Sequence, residues 1–188
     1  MPDGNRPPGL SKEEIVAALG RLNDYLANAN VIGEVCIFGG TAMVLVFNAR
    51  LSTRDVDAIF MPAALIRDLA AKVAEERGLA PDWLNDGVKG FQASNPEITQ
   101  DSVPQFSHLR VYRPSAKYLL AMKCMASRTS GPETAGDRND IMVLVKHLGF
   151  KTADEIIKNL TRFFPPERIP AKTQFMIHEV ISDLNPKP

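Results

Sequence analysis

Apolar residues recur at helical spacing as soon as the first capping signal is passed. Ser11 and Glu14 form the S-x-x-E box that closes a helix N-terminus. Ile15, Leu19, Leu22 and Leu26 follow on one face, which predicts an amphipathic helix over 12–29. Gly33 breaks that pattern. Val35, Cys36, Ile37 and Phe38 make a short apolar strand that stops at Gly39-Gly40, and the apolar run 41–47 reads as a buried helix beginning at those glycines. A polar turn over 48–53 leads into 55–60, where Val56, Ala58 and Phe60 alternate as one face of a second strand.

Pro62 suits the first turn of the next helix. Leu65, Ile66, Leu69 and Val73 give that helix a buried stripe, and Gly78 suits its C-cap. Residues 79–105 hold Trp83, Gly87, Gly90, Pro96 and Pro104 and read as loops with short elements. Trp83 reads as a loop anchor, and 106–112 as a further strand. Beyond Pro114 the pattern turns helical. Ser115 caps a helix to about 128, with Leu119, Met122 and Ala126 inward, followed by a loop over 129–136. Ile141, Leu144, Val145 and Leu148 mark another helix, ended by Gly149. Thr152 and Glu155 form a second capping box before Ile156, Ile157 and Leu160. Pro165-Pro166 separates that helix from a last one over 171–184 that uses Phe175, Ile177, Val180, Ile181 and Leu184. The expected fold is α+β, a small mixed sheet flanked by helices, with a helical C-terminal part. The expected organisation is a loose arm over 1–10, a core over 11–113 and a helical region over 114–188.

Composition adds limits. The chain has 188 residues, 45% hydrophobic and 23% charged, enough for a packed core without staples. Lys+Arg and Asp+Glu balance at 22 each, so no bulk charge draws the protein to nucleic acid or anionic lipid, although a local basic patch remains compatible. Cys36 and Cys124 form no C-x-x-C pair and do not cluster with His108, His147 or His178, which argues against zinc. They read as reduced thiols. The N-terminus MPDGNRPPGL lacks the apolar core of a signal peptide, and no apolar run reaches membrane-spanning length. The cytoplasm is the expected location.

The candidate chemistry lies in GGTAMVLVFNARLSTRDVDAIF, residues 39–60. Asp55 and Asp57, two apart on a strand, project from the same face. A pair of carboxylates suits a magnesium ion that also takes phosphate oxygens. Gly39 and Gly40 let the backbone approach phosphate, and the helix that follows supplies free N–H groups and the positive end of its dipole. Thr41 adds a hydroxyl, and Arg50 and Arg54 are near enough to pair with phosphate. A lone G-G or a lone D-x-D is as readily a tight turn or two solvated acids. The combination in this order carries the signal.

That segment resembles the opening motif of the DNA polymerase beta-like nucleotidyltransferase superfamily: a hydrophobic residue, G-G or G-S, a spacer, then D-h-D. With S-T-R-D-V-D it resembles the bacterial toxins of the AbiEii type and an uncharacterised group related to them, which DWLNDGVKGF at 82–91 also resembles. The likeness covers about 35–148 and extends to LLAMKCMASR, with Lys123, and DRNDI, with Asp140. It implies a nucleotidyltransferase fold and transfer of an NMP from an NTP with Mg2+ or Mn2+. Asp55 and Asp57 would be metal ligands and catalytic residues, and Asp140 the acid that orients or deprotonates the attacking hydroxyl. Gly39, Gly40, Thr41, Arg54 and Lys123 would hold the nucleotide, and the helical region would complete the site. The acceptor would be a hydroxyl of RNA (tRNA-like) or of a protein, in a toxin–antitoxin setting with a partner protein.

Read on their own, the downstream residues leave alternatives. Lys123, amid Leu119, Leu120, Met122 and Met125, either snorkels to solvent or meets a buried anion. Arg128 suits a helix end, ahead of a phosphate role. Asp137 is a natural N-cap, and Asp140 is either a favourable charge near a helix N-terminus or a catalytic acid. The candidate strand FSHLRVYR lacks the third carboxylate that many superfamily members carry, which leaves Asp140 or Asp86 to supply it. A non-catalytic nucleotide-binding or protein-interaction module of the same fold is the competing expectation.

Overall fold

The computed structural model describes residues 9–87, 93–127 and 134–185. The first eight residues of the expected arm, 88–90 of the Gly87–Gly90 region, and Arg128 with 129–133 of the expected loop lie outside them. The fold is α+β, with seven α-helices, a five-stranded mixed sheet and a two-stranded sheet among the described residues. The chain divides into two compact units, Met1–Lys89 with Ile98–Arg113, and Gly90–Glu97 with Pro114–Pro188. No helix among the described residues is long and apolar enough to cross a membrane.

The first unit opens with β1 (Leu10–Ser11) and α1 (Lys12–Asn28). Both halves of the capping box form: Ser11 Oγ accepts from the Glu14 amide and Glu14 Oε2 from the Ser11 amide. Ile15, Leu19, Leu22 and Leu26 are all buried, and each such side chain contributes about 1.5–3 kcal/mol of burial. Then come β2 (Gly33–Ile37), α2 (Gly39–Leu45), β3 (Ser52–Thr53), β4 (Val56–Met61), α3 (Ala63–Arg77), β5 (Leu84–Asn85), β6 (Ile98–Thr99) and β7 (Leu109–Pro114). The sheet order is β5-β4-β2-β7-β6. β4 runs antiparallel to β2, with Ile37 opposite Ala58, and parallel to β5. Val56, Ala58 and Phe60 point inward as their alternation requires.

Three local features depart from expectation. The polar stretch 48–53 contains β3, which pairs with β1 through Leu10↔Thr53. Gly33, expected only to break the helical pattern, opens β2, and a Cβ there would lie 2.7 Å from Leu26 Cδ1. Pro62 is the N-cap of α3, one residue ahead of the expected place. Gly78 closes α3 at φ +63°, and buried Trp83 donates Nε1–H to the Ala70 carbonyl at 2.9 Å.

The second unit contains α4 (Ala116–Ala126), α5 (Thr134–Leu148), α6 (Ala153–Thr161), a 3-10 turn (Pro166–Arg168) and α7 (Ala171–Leu184). α4 buries most of its circumference, including Tyr118, Leu119, Leu120, Ala121, Met122 and Cys124, and packs on α5, α6 and α7. Ala126, expected inside, is exposed at the helix end. The Thr152–Glu155 box forms on α6. α5 starts at Thr134, inside the stretch expected to be a loop, so Asp137 sits in its first turn and is not its N-cap. On α7 the inner stripe is Thr173, Ile177 and Val180, spaced four and three apart. Phe175 falls off that stripe and is 72% exposed, contrary to the expected inward role.

Candidate functional site

Register builds the acidic face of the first unit. Asp57 stands at the second position of β4, with inward Val56 and Ala58 on either side, so its carboxylate takes the opposite face. Asp55, just before the strand, shares that face, and both are half-buried. The β2–β4 pairing continues one step past β2: the Phe38 amide donates to the Asp57 carbonyl at 2.8 Å. This brings Gly39 beside the Asp57 side chain. Gly39 has φ +54°, and a Cβ there would lie 2.9 Å from Asp57 Oδ2. Both the left-handed backbone and the close approach require glycine. At Gly40 a Cβ would run into the side chain of Thr53, with Thr53 Cβ at 3.2 Å and Arg50 Nη1 at 3.8 Å.

Thr41 is fully buried, and its hydroxyl donates to the Asp55 carbonyl at 3.1 Å. It therefore ties the first turn of α2 to the residue that begins the acidic face. Arg54 is exposed beside Asp55. Burial raises the Asp55 pKa above the ordinary range, as do the charges of Asp57 and Asp82; the charge of Arg54 and a hydrogen bond from Asn85 oppose the rise. Among the described residues neither Asp55 nor Asp57 forms an ion pair. Asp86, one of the two candidates for a third carboxylate, pairs with Arg67 at 3.2 Å. Within this unit, among the described residues, no third acid completes a cluster with Asp55 and Asp57.

Lys123 and Asp140 meet in the second unit. Lys123 Nζ lies 2.6 Å from Asp140 Oδ2 and 3.7 Å from Asp137 Oδ1. Asp140 has no exposed surface and the Lys123 side chain is 11% exposed. Of the two alternatives for Lys123, solvent or a buried anion, it takes the anion, and the anion is a residue of this chain. Seventeen positions separate the two residues, and the packing of α4 on α5 brings them together.

One contributor went unnoticed in the sequence. Asn85 donates Nδ2–H to Asp55 Oδ2 at 3.2 Å. Its signal was indirect: it stands in the phrase DWLNDGVKGF, two residues after the tryptophan that anchors the loop. The cysteines offer no nucleophile, since burial pushes both Cys36 and Cys124 up to about 12.

The donor set fits a hard divalent cation. Two carboxylates share a partly desolvated face, with no protein cation paired to them among the described residues, and the adjacent backbone is held back to a glycine Cα. Compared with protein-family models, curated proteins and solved structures, the chain matches none.

Proposed function

We propose that the first unit binds a divalent cation and an NTP, and that the protein is a nucleotidyltransferase, passing an NMP to a hydroxyl of RNA or protein as a toxin–antitoxin component. The observation that carries this reading is the pair Asp55 and Asp57 on one strand face, with Asp57 Oδ2 lying where a Cβ of Gly39 would crowd it. Asp55 and Asp57 would hold Mg2+ or Mn2+. The bound cation would neutralise phosphate charge and help align the attacking and leaving oxygens. Around it, the chain's own residues bind and orient. Gly39 and Gly40 keep the backbone low for phosphate to approach. Thr41 fixes the Asp55 backbone, and Arg54 offers a guanidinium for a phosphate oxygen.

The Lys123–Asp140 pair favours a second reading, a non-catalytic nucleotide-binding or protein-interaction module. An ammonium held at 2.6 Å by a buried carboxylate is already neutralised, and that carboxylate already accepts a charged donor at Oδ2. Incubation of α-labelled NTPs and Mg2+ or Mn2+ with lysate, using wild type and Asp57→Ala, separates the readings. A nucleotidyltransferase labels a macromolecule in an Asp57-dependent way. RNase removes the label if the acceptor is RNA, and protease removes it if the acceptor is protein. NTP binding without any labelled product supports the binding module.

A further inference from the structure

Asn85 lies beside the acidic pair and belongs to neither the glycines nor the D-x-D. β5 runs parallel to β4 with Asp57↔Asn85 and Val56↔Leu84 as partners. Leu84 follows Val56 into the core. The pleat therefore sets Asn85 on the face that carries Asp55 and Asp57. There its carboxamide is engaged at both ends. Oδ1 accepts from the Gly87 amide at 3.0 Å, an Asx turn two residues on, and Nδ2 donates to Asp55 Oδ2 at 3.2 Å.

The first bond settles the second. With its oxygen turned to an amide N–H, the side chain has only N–H to offer Asp55. Gly87 keeps this turn narrow against the acids, since a Cβ there would lie 3.1 Å from Asn85 Oδ1 and 4.0 Å from Asp57 Oδ1. The neighbouring acid is treated differently: Asp86 is neutralised by the Arg67 guanidinium. Asp55 is gripped by a neutral amide, which fixes one oxygen without cancelling the charge. A lysine or arginine in that place would compete with a bound cation, whereas a carboxamide does not.

We infer that Asn85 is a positioning residue for a divalent cation at Asp55 and Asp57, occupying Asp55 Oδ2 so that the other Asp55 oxygen faces the ion alongside the Asp57 carboxylate. The inference rests on the proposed reading of the acidic pair as a metal site. A carboxylate held by an outer donor has lost its rotational freedom before the ion arrives, and removing such donors typically lowers metal affinity by about 10–100-fold.

The test is a titration of the full chain with Mn2+, without nucleotide, following free Mn2+ by electron paramagnetic resonance, with a melting temperature for each variant. Wild type binds Mn2+, and Asn85→Ala weakens binding by about tenfold or more. A merely structural role would lower the melting temperature of Asn85→Ala and leave its Mn2+ affinity at the wild-type value; that result overturns the inference. Asn85→Ser keeps an acceptor for the Gly87 amide but has no N–H that reaches Asp55. Its Mn2+ affinity falls as in Asn85→Ala. If Asn85→Ala does not fold, this variant decides: wild-type Mn2+ affinity in Asn85→Ser overturns the inference. Wild-type protein that binds no Mn2+ overturns the metal-site reading and the role of Asn85 with it. Wild-type binding with Asn85 variants unaffected overturns only the role of Asn85.

Discussion

In the helical unit Asp140 has no exposed surface and Lys123 lies 2.6 Å from it; in the sheet unit Asp55 and Asp57 share a half-exposed face and, among the described residues, neither is ion-paired. A fully buried acid is tolerable only with a close cation, because desolvating a lone charge costs several kcal/mol. The helical unit meets that condition internally. Among its described residues the sheet unit gives the two carboxylates no ion pair; partial exposure, the nearby charge of Arg54 and the Asn85 amide keep them tolerable. Balanced charge of the first kind holds helices together. Under the proposed reading, charge of the second kind attracts a cation from solution.

The largest effect belongs to the balanced pair. Lys123→Met removes the ammonium 2.6 Å from buried Asp140, and the loss expected in urea unfolding is about 3–5 kcal/mol. Adding Asp140→Leu restores most of it, since an apolar pair of similar volume avoids the desolvation cost. A double variant as unstable as Lys123→Met alone would break the comparison from this side.

Next is the glycine against the acids. Gly39→Ala forces a Cβ into a φ of +54° and to within 2.9 Å of Asp57 Oδ2. The backbone strain alone costs about 1–2 kcal/mol, and the displaced carboxylate weakens Mn2+ binding in the same variant. Denaturant unfolding and Mn2+ titration read the two effects separately.

Asp55→Asn moves stability the opposite way. Burial, with the charges of Asp57 and Asp82 adding to it, raises the Asp55 pKa. The ionised form therefore destabilises the fold at neutral pH, and stability is regained as pH falls through that raised value. Neutralising the group raises the stability of the metal-free protein by less than about 1 kcal/mol, because solvent screens a half-buried charge. Stabilisation by Mn2+ is reduced in the same variant.

The smallest effect is a control on the sheet unit. Arg21 first, then Tyr25, holds the Glu76 carboxyl down to about 2 from an ordinary 4.5. A lowered acid stabilises the fold fully above its unfolded value and loses that contribution as pH falls from about 4.5 to about 2. Melting temperatures of wild type and Glu76→Gln should therefore differ at pH 6, above the window, and converge as pH falls to its lower edge near 2.

The elements that sequence made legible are those whose signals are local. The Ser11–Glu14 and Thr152–Glu155 boxes and the alternation of Val56, Ala58 and Phe60 each depend on neighbours a few residues away. The missed features depend on partners far off in sequence. β1 and β3 are two residues each, too short for a period, and exist because Leu10 meets Thr53. The apolarity of Phe175 predicts an inward place, yet the stripe runs through Thr173. Asp137 looked like a cap because Gly136 suggested a loop, but α5 begins two residues before that glycine. In the candidate site, the shared face of Asp55 and Asp57 followed from strand period alone. The grip of Asn85 on Asp55 and of Asp140 on Lys123 needed strand pairing and helix packing that no local pattern encodes.

The central claim is that the acid pair of the sheet unit binds a cation–triphosphate and turns it over. Its most direct test is NTP consumption by the purified protein with Mg2+ or Mn2+, comparing wild type with an Asp57→Ala variant of matched melting temperature. The account predicts metal-dependent consumption of at least one NTP by wild type and its loss in Asp57→Ala. No binding or consumption of any NTP by wild type, or equal consumption by the variant, would contradict it.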